Sequence, residues 1–208
     1  MGRKYASYME IQGAEREGAD YRVRFRSGSS GIAVMAPHGG EIEPGTTEIA
    51  EAVAGRDHAF YSFEGLKADS NLDLHIASTL FDEPKGLGTA AEAITVITVH
   101  GCREMDPVVL VGGLDTQLRG VVTSRLQDAG FAAREDPRLP GRSPLNLCNR
   151  SRKGCGVQLE VSLGLRRALF AGLTKSSRAA PLPRFQCFVA ALRNAISARD
   201  RARSASLE

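Results

Sequence analysis

Short apolar stretches alternate with amphipathic ones along the chain, and turns rich in glycine, proline and acidic residues separate them. Residues 21–26 are apolar at Tyr21, Val23 and Phe25 and basic at Arg22, Arg24 and Arg26, the period of a half-exposed strand. After a turn over 27–31, residues 32–36 are apolar throughout, which predicts a strand covered on both faces. Residues 60–63 predict a short strand. Residues 94–99 give the strongest strand signal, β-branched at every position. Residues 108–111, closed by Gly112 and Gly113, and residues 157–161 complete the set. Helices are expected over 47–53, with Glu48 and Glu51 near the start, and from a cap at Asp115 or Thr116 to about 127, closed by Gly130. Two more are expected over 165–173 and 184–201, and 138–152 reads as a Pro/Gly/Asn-rich loop. The alternation predicts an α/β fold, a mixed, mostly parallel sheet flanked by helices.

Composition narrows the class. At 208 residues, 42% hydrophobic and 25% charged, the chain fits one globular domain over 1–206. Leu207 and Glu208 follow a Ser/Ala-rich stretch and read as an expression scar. No stretch approaches the ~20 apolar residues of a membrane span, and Met1 to Ala14 lacks the pattern of a secretory leader. Cys102, Cys148, Cys155 and Cys187 form no C-x-x-C pair and read as reduced thiols, so a cytoplasmic monomer is expected.

Charge is divided unevenly. Up to Leu118 there are 10 Lys and Arg against 18 Asp and Glu; from Arg119 on there are 17 against 6, so net −8 is followed by net +11. An arginine-rich half suits a polyanionic partner, either nucleic acid or an acidic polymer. No nucleic-acid motif appears, tryptophan is absent and aromatics are 6%, which leaves few stacking platforms and argues against nucleic acid.

The candidate chemistry gathers at strand ends. His38 follows the 32–36 strand and His100 follows the 94–99 strand, each with glycine next in sequence. In open α/β sheets ligands sit outside the carboxyl ends of strands, so the two imidazoles form a candidate metal or catalytic pair. Zinc commonly takes two imidazoles and a carboxylate, leaving a position for water. Glu43 reaches back across the Gly39-Gly40 turn, and Glu41 competes for the same role. Glu160 alternates with Val157, Leu159 and Val161, so it faces away from the apolar side of its strand. It is either a base for a water or an exposed edge-strand carboxylate. There is no H-E-x-x-H helix, no G-x-S-x-G elbow and no Walker loop.

Taken together, these segments resemble the poly-γ-glutamate hydrolase family of phages and bacteria, whose members are sometimes labelled phage replication-related. The matching pieces are 15–22, Ala36-Pro37-His38-Gly39-Gly40-Glu41-Ile42-Glu43-Pro44-Gly45-Thr46, 75–84, Val99-His100-Gly101, 146–150 and Gly156-Val157-Gln158-Leu159-Glu160-Val161-Ser162. The resemblance implies a single-domain fold like a trimmed zinc carboxypeptidase, a phosphorylase/hydrolase-like core. It implies zinc held by His38, Glu43 and His100, with Glu160 as the general base in cleaving γ-glutamyl amide bonds. A γ-linked polyglutamate carries a free α-carboxylate at each link, and arginine pairs with carboxylates by a two-pronged hydrogen bond. Arg150 and Arg166, which flank the Glu160 strand, are the expected substrate-binding residues. His75 and His58 are read as non-ligands. A zinc amidohydrolase of small N-acyl amino acids is the alternative that keeps the same metal site.

Overall fold

The computed structural model describes residues 4–205, with side chains to residue 198; the presumed scar at 207–208 lies outside the described residues. In chain order the elements are helix α1 (Tyr8–Ala14), strands β1 (Tyr21–Arg26) and β2 (Ile32–Gly40), helix α2 (Thr46–Ala54), strand β3 (Ala59–Gly65), helix α3 (Pro84–Glu92), and strands β4 (Thr95–Cys102) and β5 (Val108–Gly112). Helix α4 (Thr116–Asp128), strands β6 (Ala132–Arg134) and β7 (Val157–Ser162), and helices α5 (Leu163–Phe170), α6 (Lys175–Ala179) and α7 (Pro183–Ala205) follow. Single 3-10 turns lie at Asn71–Leu74 and Leu147–Asn149.

The strands form one seven-stranded sheet in the order β1-β3-β2-β4-β7-β5-β6. The central four, β3, β2, β4 and β7, are parallel. β1 pairs antiparallel with β3, and β5 pairs antiparallel with β7. The mixed, mostly parallel sheet expected from the alternation is the one observed.

Two apolar layers cover the sheet, and strand alternation assigns residues between them. Ile32, Val34 and Ala36 of β2 join Ile97 and Val99 of β4 and Val157, Leu159 and Val161 of β7 beneath the helices α2, α4, α5 and α7. Ala33 and Met35 point the other way, to Tyr8, Ile11, Tyr61, Phe63 and Phe81. The continuous apolar run at 32–36 thus comes from burial on both faces. On that second face the helical cover, α1 and α3, stops short of the carboxyl ends of the central strands, where residues 75–79 and 138–143 border a cleft.

Four elements escape the sequence pattern. Helix α3 carries Pro84, Gly86 and Gly88 and would not be chosen on propensity. It forms because Pro84 sits in the first turn, and the Glu83 carboxylate caps the Lys85 and Gly86 N–H groups. A Cβ at position 86 would run into the Tyr61 and Phe81 rings, so the glycine allows close packing. β6 and α6 are too short to show a period, and α1, a single-sided helix of seven residues, is capped by Ser7.

At the end of β2, Gly39 has no room for a side chain. A Cβ there would collide with Ser62 Oγ and Thr47 Oγ1, which hydrogen-bond each other at 2.8 Å, while Thr47 Oγ1 also accepts the Gly40 N–H at 3.0 Å. Gly39→Ala is expected to lower stability by about 1–3 kcal/mol, the usual cost of overpacking. A fall in the urea midpoint with unchanged slope is the expected outcome.

Candidate metal centre

His38 reaches the cleft through an irregularity in β2. Strand alternation places Met35 on the cleft side, so regular continuation would give that side to Pro37 and send His38 into the helical layer with Ala36. Between Ala36, paired with Ser62, and Gly39, paired with Glu64, β2 advances three residues while β3 advances two. The extra residue is a β-bulge, and it reverses which residues face the cleft. The His38 ring then lies against that of His100, with centroids 4.9 Å apart. His100 lies within β4 and faces Glu160 of β7 in register. Both histidines therefore lie on strands that run a few residues further than their apolar runs predict.

The chain turns back at Gly40, whose φ of +62° favours glycine. The Glu43 N–H closes the turn on the His38 carbonyl at 3.0 Å. The Glu43 carboxylate thereby lies 3.1 Å from His38 Nδ1, 3.4 Å from His75 Nε2 and 3.8 Å from His100 Nδ1. Its Oε2 also accepts the Gly101 N–H at 2.8 Å. Glu41, the competing carboxylate, faces away and pairs with Arg178.

The tautomers follow from the outer contacts. His38 Nε2 lies 2.6 Å from the Ile76 carbonyl, which can only accept, so Nε2 carries a hydrogen and Nδ1 is the nitrogen turned toward Glu43 and His100. His100 Nε2 lies 3.3 Å from Ser78 Oγ, leaving its Nδ1 turned toward His38 Nδ1 at 3.1 Å. Burial, and then the neighbouring His38, push His100 down to about 3, so it stays neutral. Burial alone would raise Glu43, but the surrounding imidazoles outweigh it and hold the carboxyl well below the usual range. Two imidazole nitrogens and a carboxylate therefore converge within 3.1–3.8 Å of one another. Such a set needs a positive charge among its donors, a proton or a metal ion. Tetrahedral zinc with bonds of ~2.0–2.1 Å separates its ligands by about 3.3 Å, and this donor set fits it.

Burial first, and then the Glu43 charge, push Glu160 up to about 8, with Arg166 opposing. A chain of amides fixes how it is held. Asn146 Oδ1 accepts the Cys148 N–H, so Asn146 Nδ2 must face Gln158 Oε1, at 2.7 Å. Gln158 is then committed to donating from Nε2 to Glu160 Oε1, at 3.1 Å.

Several expectations are corrected. Arg150 donates to the carbonyls of Leu145, Phe81 and Thr79, so it ties loops together and has no free face for a carboxylate. Arg166 is buried and donates to the carbonyls of Val161, Pro44 and Cys102. It lies beneath the strand ends, where it also fills the space a side chain at Gly101 would need. The arginines that line the cleft, about 470 Å³ in volume, are Arg138 and Arg142. His75, read from the sequence as a non-ligand, lines the cleft, stacked on the His38 ring at 3.8 Å. With His38 and Glu43 it offers donor atoms all within 4.8 Å of one another. The sequence signal for it is that 75–84 is one of the resembling pieces. His58, bonded to Ser30 just before β3, stands outside the cleft lining.

An α/β sheet whose strand ends gather imidazoles and carboxylates into one cleft defines a class of protein with the donors of a metal centre. The comparisons narrow this class. The chain belongs to the poly-γ-glutamate hydrolase family, whose model matches residues 5–191. It is 39% identical over 178 residues to UPF0714 protein YndL of Bacillus subtilis (strain 168), covering 84% of this chain and 70% of YndL. It is 36% identical to the SPbeta prophage-derived UPF0714 protein YoqZ of the same organism, covering 84% of this chain and 64% of YoqZ. The chain thus spans about two thirds of the length of these relatives. Among solved structures, a bacteriophage poly-γ-glutamate hydrolase superposes with a TM-score of 0.92 at 32% identity over 100% of both chains. An apo, zinc-free YNDL superposes with 0.89 at 36% identity over 94% of this chain and 98% of the other.

If Arg166 supports the strand ends, Arg166→Ala is expected to destabilise the chain by about 2–4 kcal/mol, since three carbonyls lose a charged donor. Denaturant titration checks this; a substrate-binding role alone would leave the midpoint unchanged.

Proposed function

We propose that the chain is a zinc-dependent hydrolase of γ-glutamyl amide bonds, with poly-γ-glutamate as its substrate. The observation that carries the reading is the meeting of His38 Nδ1, the neutral His100 Nδ1 and the Glu43 carboxylate beside a half-buried Glu160. Membership of a poly-γ-glutamate hydrolase family and the likeness to a protein described as zinc-free support the reaction and the metal.

His38, Glu43 and His100 would hold the ion. The His38 and His100 rings meet at 64°, so their in-plane lone pairs can converge. The His75 ring stacks on His38 at 29°, and near-parallel rings direct their lone pairs poorly onto one ion. His75 is therefore read as a neighbour of Glu43, outside the ligand set. Zinc bound there would supply Lewis-acid polarisation for the water and the scissile carbonyl. Glu160, held by Gln158, takes the proton of the attacking water and returns it to the leaving amine. A carboxyl raised well above its usual range binds that proton more firmly than an exposed carboxylate would. The Ile76 carbonyl and Ser78 hydroxyl fix the two imidazoles from behind, as outer partners of metal ligands do.

Two tests follow. Elemental analysis should find one zinc per chain, lost in His38→Ala and His100→Ala and kept in His75→Ala. Zinc lost with His75 and kept without His100 would reverse the ligand choice. Glu160→Gln should keep its zinc while hydrolysis of poly-γ-glutamate, followed by product sizing, falls roughly 10²–10⁴-fold. Gln158→Leu should reduce turnover with KM and zinc content unchanged. A wild-type chain that carries zinc yet cleaves only small N-acyl amino acids would overturn the substrate class.

A further inference from the structure

The floor of the cleft carries the carboxyl groups of Glu43 and Glu160 together with three imidazoles. A polymer with one carboxylate per residue would be held there by cations at the cleft edge. Among the described residues, Arg138 and Arg142 are the arginines that line the cleft, and no lysine does. Their loop is fixed in place. The Gly113 N–H donates to the Pro140 carbonyl at 2.9 Å, and Asn149 Nδ2 donates to the carbonyls of Gly141 and Ser143 at 2.7 and 2.8 Å. Gly141, at φ +59°, lies flat on the end of the sheet, where a Cβ would sit 3.0 Å from Gly113 N and 3.2 Å from Gln158 Cβ.

The guanidinium groups are themselves held. Asp136, buried, receives Arg138 Nε at 3.0 Å and Nη2 at 2.6 Å, and also the Arg138 N–H at 2.8 Å. Glu135 is shared by Arg142 at 3.1 Å and Arg119 at 3.2 Å, and Arg134 approaches Asp136 at 3.4 Å. Four arginines thus meet two carboxylates, an excess of two positive charges, and Glu104, whose charge also acts on Arg138, leaves one. Both Arg138 and Arg142 remain mostly solvent-exposed, so the acids orient them without covering them.

We propose that Arg138 and Arg142, oriented by Asp136 and Glu135, form a carboxylate-binding rim that holds the free α-carboxylates of a γ-glutamyl polymer beside the bond lying over Glu160. The identity of the polymer rests on the reaction proposed above; the rim itself rests on the loop geometry. Arginine forks match carboxylates, and the cleft lining has no Phe, Tyr or Trp on which a nucleobase could stack.

The test is fluorescence anisotropy of labelled poly-γ-glutamate binding to the full chain, wild type and Arg138→Ala/Arg142→Ala, with a single-stranded oligonucleotide of equal charge as competitor. The double variant should bind the polymer roughly three- to tenfold more weakly, as expected for two exposed ion pairs. It should lose most of the salt dependence of binding and show a raised KM with kcat little changed. Arg138→Lys/Arg142→Lys should recover part of the affinity, since it keeps the charge and loses the fork. Equal affinity of the double variant and wild type for the polymer overturns the rim. So does an oligonucleotide that outcompetes the polymer and loses its own binding in the double variant, which would make the rim a nucleic-acid surface. Polymer bound through the arginines but left uncut by the zinc-loaded wild type supports the rim and overturns the reaction.

Discussion

The site depends on one extra residue in β2. A regular strand through positions 35–39 would point His38 at the helices, across the sheet from His100 and Glu160. The bulge against β3 reverses that alternation and brings His38 onto the cleft side. Everything near it is cut to fit. Gly39 allows Ser62 and Thr47 to close on the strand, Gly40 reverses the chain, and the Glu43 N–H ties the turn to the His38 carbonyl. One irregularity thus converts two parallel strands, each with its own imidazole, into a single polar cluster.

That cluster is poorly matched to its surroundings unless something positive joins it. His38 and His100 are each almost fully buried, and their Nδ1 atoms face each other. The Gly101 N–H gives Glu43 one donor, and Arg166 adds a positive charge from beneath. A site preformed in this way takes an ion with little rearrangement, so ion binding would stabilise the folded chain by mass action as well as serve chemistry.

The sheet was largely legible in the sequence, because its strands are β-branched or apolar runs that the two-sided core requires. Strand ends were not. β2 and β4 extend past their apolar runs through Pro37, Gly39 and Gly101, residues with no strand propensity, because pairing with β3 and β7 continues there. His38, His100, Glu43 and Glu160 were legible as candidates, since polar residues stood out at the ends of buried strands, and the structure brings all four to one cleft. His75 was not, because it caps a single 3-10 turn with no period to place it.

The arginines show why nearness in sequence misleads here. Arg166 follows Glu160 by six residues, but β7 leads directly into α5, which packs on the face of the sheet opposite the cleft. Its guanidinium reaches under the strand ends, to the carbonyls of Val161 in β7, Cys102 at the end of β4 and Pro44 in the turn after β2. Arg150 sits behind the 3-10 turn at Leu147–Asn149 and is spent in joining loops. Arg138 and Arg142 are further away in sequence, but their loop folds back over the end of β5, which runs antiparallel beside β7. The imidazoles and Glu160 therefore stand on rigid strand ends, and the proposed rim stands on a loop fixed by glycines. Substitutions in the loop can change which anion is held without disturbing His38, His100 or Glu160. This is the usual division between a scaffold that carries the chemistry and loops that carry selectivity.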